Sequence, residues 1–202
     1  MKSNQICFLA WLFLTSVAHS ATKLDFSILK KQMDESGIYE KRAFEKVKKC
    51  VSLATQTVDR ESIGGISLET KVSDIEKITK CKLDPKNISK NEQGLSTWDF
   101  KECDLVVIFK DQNPLSVIVG SKSKLKLKSG IGMGSKLDAA KKSYSKINLH
   151  EGARETVIST PVCEVPDPCG FDHPSLSIRG NTYDNVVTQF EINRYSAGYC
   201  AH

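Results

Sequence analysis

At 202 residues, 40% hydrophobic and 26% charged, the chain is long enough for one large domain or two small ones. That balance excludes disordered, collagen-like and coiled-coil classes. Twenty-nine basic against 24 acidic residues leave a net charge of +5, too even to mark a polyelectrolyte.

Residues 1–20 read as a secretory signal peptide: Lys2 precedes a thirteen-residue apolar run from 6 to 18, and Ala18 and Ser20 are the small residues of the cleavage site. Thirteen residues fall short of the ~20 that cross a bilayer, and no second long apolar stretch follows, so a chain that does not span the membrane is expected, secreted or periplasmic. Loss of Lys2 leaves +4. Residues 21–60 form an N-terminal helical segment, with one or two helices between 24 and 57 broken near Ser36-Gly37. Ile28, Leu29, Phe44, Val47 and Val51 are its inward positions.

Sliding the chain against itself by 65 positions aligns Gly65-Ile66-Ser67-Leu68-Glu69-Thr70-Lys71-Val72 with Gly130-Ile131-Gly132-Met133-Gly134-Ser135-Lys136-Leu137. Gly, Ile and Lys match outright, and Leu68 with Met133, Thr70 with Ser135, and Val72 with Leu137 match in kind. The match predicts two tandem units, residues 61–121 and 122–202. In each, a Gly-containing turn leads to Thr70 or Ser135 as helix N-cap. Val72, Ile75 and Ile78, and then Leu137, Ala140 and Tyr144, form the buried stripes of the two helices. Strands follow at 105–109 and 115–119, a hairpin through Asp111-Gln112-Asn113-Pro114, and again at 176–178 and 186–192 around a Gly180-Asn181 turn. The fold class is α+β: an N-terminal helical segment followed by two tandem helix-plus-antiparallel-sheet units.

On residues 130–144 and, more faintly, 65–78, the repeat resembles a group of exported bacterial proteins, the β-lactamase inhibitory protein and the BamE-like outer-membrane lipoproteins. Through the duplication the resemblance extends over about residues 60–195. It implies helices set against small antiparallel sheets and a function in protein binding, and it transfers no functional residue. The chain has no lipobox cysteine after its apolar run, which separates it from the lipoproteins.

Six cysteines remain after processing: Cys50, Cys81, Cys103, Cys163, Cys169 and Cys200. An oxidising compartment favours disulfides over thiols or metal ligands. Six cysteines allow ~15 connectivities. The preferred set pairs Cys163 with Cys169 across a loop bent by Pro166 and Pro168, Cys81 with Cys103, and by elimination Cys50 with Cys200. A zinc site from Cys163, Cys169 and His173 lacks a CxxC knuckle and a fourth ligand, so no metal is expected.

No catalytic residue is assigned. The Gly-rich turn at 130–136 carries Ser135-Lys136 where a phosphate-binding loop needs Gly-Lys-Ser/Thr, so no nucleotide cofactor is expected. His150, His173 and His202 sit in no nucleophile motif. The strongest feature is charge: residues 122–146 hold eight lysines against Asp138 alone, a net +7. Lys122, Lys124, Lys126 and Lys128 alternate with Ser123, Leu125 and Leu127, which predicts four lysines on one face of a strand. Either they guard a sheet edge against aggregation, or they dock an acidic protein or anionic envelope polymer. Without arginine or interleaved aromatics, nucleic acid is not the expected partner. The function expected is that of an exported, disulfide-stabilised, non-enzymatic protein of inhibitor or immunity type that binds another macromolecule. The alternatives are an envelope hydrolase using carboxylates or histidine, and a structural envelope component.

Overall fold

Leu105, Val107 and Phe109 alternate with Val106 and Ile108, and an extended chain sends such alternate side chains to opposite faces. The computed structural model describes residues 26–35, 37, 39–92, 94–110, 112–144, 148–160 and 174–194. Its strands are β1 (Ile88–Lys90), β2 (Ser96–Phe100), β3 (Leu105–Lys110), β4 (Asn113–Val119), β5 (Asn148–Glu151), β6 (Glu155–Ser159), β7 (Ser175–Asn181) and β8 (Val186–Asn193). All join one antiparallel sheet in the order β1-β2-β3-β4-β8-β7-β6-β5. Each half is a meander, and the last strands of the two halves meet at the centre, Ser116 opposite Asn193 and Val119 opposite Phe190. The chain is thus mixed α and β with sheet predominant, and the strands expected in two units lie in one continuous sheet.

The hairpin expected through residues 111–114 forms, with Val107 opposite Val117. Pro114 falls at the register shift between Ile108 and Phe109, beyond the stretch of β4 that pairs with β8, where a residue without an N–H costs no ladder bond. In the second half the expected turn is displaced. Gly180 and Asn181 stay in β7, paired with Val187 and Val186, and the chain reverses over residues 182–185. Gly180 is in the strand because the Leu137 side chain approaches so closely that a Cβ there would lie 2.5 Å from Leu137 Cδ2. The signal read as a turn is a close packing contact.

The helices are α1 (Phe26–Glu35), α2 (Lys41–Asp59), α3 (Ile75–Thr79) and α4 (Leu137–Ser143). The break between α1 and α2 falls where Ser36-Gly37 placed it, with Gly37 at φ +68°. Along α2, Phe44, Val47, Val51, Ala54 and Val58 recur at three- and four-residue steps and are buried. Phe44, Val47 and Val51 pack with Met33 of α1 in a small cluster, whereas Val58 joins the main core. The side chains of Ile28 and Leu29 lie outside the described residues. Ile75, Leu137, Ala140 and Tyr144 are buried in that main core with Phe100, Phe109 and Phe190. Each fully buried Phe contributes about 1.5–3 kcal/mol over an exposed one.

Ile78 departs from its expected stripe and is 40% exposed. Helix α3 has only five residues and ends at Lys80 in the left-handed region, so Ile78 falls on the last turn and packs over Gly65, 2.8 Å from where a Cβ would sit. The expected N-caps also need correction. Lys71 and Lys136 occupy the cap positions and make no side-chain cap bond. Thr70 Oγ1 instead accepts from Ser67 N at 2.9 Å and Ser135 Oγ from Gly132 N at 3.0 Å. Both hydroxyls reach backward and close the turn ahead of the helix, a local alternative that Ser and Thr offer the backbone.

The expected Cys81–Cys103 bridge is present, with a Cα separation of 5.9 Å, and ties the segment after α3 to the turn Lys101–Cys103 between β2 and β3. Cys50 is also disulfide-bonded, with its partner outside the described residues. Cys163, Cys169 and Cys200 lie outside them too, so the pairs assigned to them are not described. Replacing Cys81 and Cys103 together by Ala should lower the unfolding free energy by about 3 kcal/mol, the loop-closure value for a separation of 22 residues. The shift of the urea midpoint under non-reducing conditions measures it.

Candidate docking surface

The lysine segment takes its shape from backbone bonds rather than from a sheet. After β4, Gly120 N donates to Asp104 O at 2.9 Å and Lys122 N to Asp104 Oδ2 at 2.8 Å, with Asp104 in the left-handed region at φ +49°. Farther on, Gly64 N donates to Lys126 O at 2.8 Å and Lys128 N to Ser62 O at 2.9 Å, around an antiparallel bridge between Ile63 and Leu127. The expected strand is therefore a loop held by isolated bridges. Its alternation survives: Ser123 and Leu127 are buried and Leu125 half-buried, while Lys122, Lys124, Lys126 and Lys128 are all exposed. Leu125 lies over Gly64, where a Cβ would sit 2.6 Å from Leu125 Cδ2 and the φ of +57° strains any other residue. The sheet edges are β1 and β5, so these lysines guard neither edge.

Among the described residues none of the four lysines forms an ion pair. Lys141, by contrast, contacts Glu151 at 2.8 Å and Asp138 at 3.9 Å. Lys146 lies outside the described residues.

A buried polar group fixes the far end of the loop. Glu61, 8% exposed, accepts from Ser129 N at 3.3 Å, and Ser129 Oγ shares a hydrogen bond of 2.8 Å with the hydroxyl of buried Tyr144. Burial pushes the Tyr144 phenol well above its ordinary value, the Ser129 bond opposes that, and Glu61 adds to it by charge and by hydrogen bond. Sequence reasoning found Tyr144 as a core position and missed its polar end, because Glu61 and Ser129 are far from it along the chain.

The remaining candidates resolve as follows. In the Gly-rich turn, Gly130 N, Gly132 N and Gly134 N donate to Leu127 O, Ser135 Oγ and Val187 O, so the N–H groups that would cradle a phosphate are taken. His150 is exposed on β5 opposite Val157, and the neighbouring Glu151 carboxylate turns to Lys141. His173, His202 and the Cys163, Cys169 and His173 set lie outside the described residues. Among the described residues no cluster of three His, Cys, Asp or Glu could hold a metal ion, and no helix is long and apolar enough to cross a membrane.

Val58 of α2, Ile75 of α3, and Leu137 and Ala140 of α4 are buried against the sheet face that carries Leu105, Val107 and Phe109. On the opposite face, Thr97, Asp99, Val106, Ile108, Ile118 and Glu191 are half-buried. There Ser116 Oγ donates to Glu191 Oε1 at 2.9 Å across the β4–β8 seam, and Asn193 Nδ2 donates to the same oxygen at 2.9 Å. Beside them lies a depression of about 370 Å³.

No protein family matches the chain, and neither a curated protein nor a solved structure matches it. Function must therefore be argued from these surfaces.

Tyr144→Phe should cost about 1 kcal/mol at neutral pH through the lost hydrogen bond to Ser129. The folded phenol ionises above the ordinary value of 10.0, so the stability it contributes is intact below pH 10.0 and is lost as the pH rises beyond it. Urea midpoints of both proteins between pH 8 and pH 11 should converge at the alkaline end. A constant gap across that range would contradict the assignment.

Proposed function

We propose that the chain is an exported, disulfide-stabilised, non-enzymatic protein of inhibitor or immunity type, and that Lys122, Lys124, Lys126 and Lys128 dock it on an acidic protein. The observation that carries this reading is the exposure of four lysines that form no ion pair among the described residues, on a backbone fixed at both ends. A fixed loop loses little conformational freedom on binding, which favours a partner with acidic groups at set positions over a flexible polymer. Unpaired exposed charge adds little to folding but accelerates encounter with an oppositely charged surface.

The reading includes two tandem units that share one sheet. Supporting it, the turns at 67–70 and 132–135 close with the same hydroxyl-to-backbone bond, 65 positions apart. Ile63 and Leu127, which precede those turns, pair with each other antiparallel, and so do β4 and β8, which end the two meanders. A pseudo-twofold axis relating two copies would pass through both pairings. Export rests on residues 1–20, outside the described residues, together with the Cys81–Cys103 bridge. The intact mass of the exported protein should correspond to a chain beginning at Ala21.

Docking is tested with Lys124→Glu, Lys126→Glu on immobilised mature protein offered exported proteins of the native host. A single stoichiometric partner should bind the wild type, elute with salt, and associate with the variant at least tenfold more slowly at low ionic strength. A partner captured equally by both proteins, or capture of anionic polymer alone, would reject the reading.

A further inference from the structure

The depression beside Ser116 and Glu191 has a chemistry separate from the basic loop. Its floor is apolar, from Leu95 before β2, Ile108 of β3 and Leu115 of β4. Glu191 and Lys110 supply its two charged side chains. Both hydrogen bonds to Glu191 land on Oε1, so among the described residues Oε2 has no donor. Lys110 is exposed at the end of β3 and has no ion pair among the described residues. The register sets the distance between the charges. Ile118 lies opposite Glu191, and Val106 opposite Ile118, so Glu191 stands two strands across and four residues along from Lys110. With ~4.8 Å between strands and ~3.4 Å per residue, the two Cα atoms are roughly 17 Å apart. The two side chains reach across part of that distance, and a tripeptide, with terminal charges roughly 10 Å apart, is long enough to bridge the rest. A volume of about 370 Å³ suits a ligand of that size.

We propose that this depression binds a short apolar peptide with free termini, its ammonium on Glu191 and its carboxylate toward Lys110. The two opposite charges select a zwitterion, since a simple cation meets Lys110 and a simple anion meets Glu191. The apolar floor selects the side chains between. Ser116, 4% exposed, and Asn193 hold the Glu191 carboxylate in place, which lowers the cost of ordering it on binding. The site uses no residue of the basic loop and stands independently of the docking reading.

Titration calorimetry with trileucine on the mature protein tests it. Wild type should show saturable binding, with N-acetyl-trileucine weaker by about tenfold, the cost of losing one charge-assisted hydrogen bond. On Glu191→Gln, the acetylated and free peptides should bind within twofold of each other, because the group that sensed the ammonium is gone. Lys110→Met, at an exposed strand end where folding is not at risk, should likewise abolish the preference for trileucine over trileucine amide. Absence of saturable binding to the wild type at millimolar peptide would overturn the proposal. So would an acetylation penalty equal on wild type and Glu191→Gln, or an amidation penalty unchanged by Lys110→Met.

Discussion

Four residue pairs between β4 and β8 hold the molecule together. Each half is a four-stranded meander whose neighbours are close in sequence, and such local sheets form without long loop closure. The pairing from Ser116 opposite Asn193 to Val119 opposite Phe190 joins segments about seventy residues apart and turns two half-sheets into one. Closing so long a loop is the slow step expected of antiparallel sheets with distant partners. The seam compensates with apolar area on its core side, where Val117, Val119, Phe190 and Ile192 are all fully buried. On its other side the Ser116 hydroxyl and the Glu191 carboxylate bond across it. That bond also fixes register, because a slip of one residue would send Ser116 and Glu191 to opposite faces.

Below the seam the two halves are held a second time. The bridge between Ile63 and Leu127 joins the approach to each short helix, and Arg194, just past β8, donates its backbone N–H to Leu115 O while its guanidinium meets Leu68 O and the Glu69 carboxylate. Asp59, at the end of α2, feels this cluster: burial and the Glu69 charge raise its pKa and Arg194 lowers it. Polar contacts at this junction orient the halves, and the hydrophobic seam supplies the stability.

Sequence made some of this legible and left other parts hidden, for identifiable reasons. The break at Gly37, the stripe along α2, and the β3–β4 hairpin were readable because each rests on local periodicity or turn chemistry. Strands β1, β2, β5 and β6 were missed: β1 and β5 are exposed throughout, and β2 is half-buried except at Phe100, so they lack a strong period-two signal. Strand β6 alternates in burial, but its buried Thr156 is polar and half-buried Val157 is apolar, so the sequence does not show it. The Gly180-Asn181 and Thr70 or Ser135 readings failed differently. There the residue type was informative, but its partner was a distant Leu137 or a backbone N–H on the unexpected side. The polar groups at Glu61, Tyr144 and Ser129 and at Ser116, Glu191 and Asn193 are assembled by tertiary contacts and leave no pattern in the chain.

The alternation of the lysine segment shows how a correct pattern can have another structural cause. Period two is the mark of an extended backbone facing solvent on one side and apolar packing on the other, and a sheet is only one way to produce it. Here the inner side is supplied by Gly64, whose missing Cβ admits Leu125, and by Ile63 and Ile131 beside Leu127. Both ends are fixed by carboxylates that accept backbone N–H groups, Asp104 at Lys122 and Glu61 at Ser129. Each of those carboxylates is engaged by the backbone of the loop. These two acids hold the loop in shape, and among the described residues none of its four ammonium groups forms an ion pair.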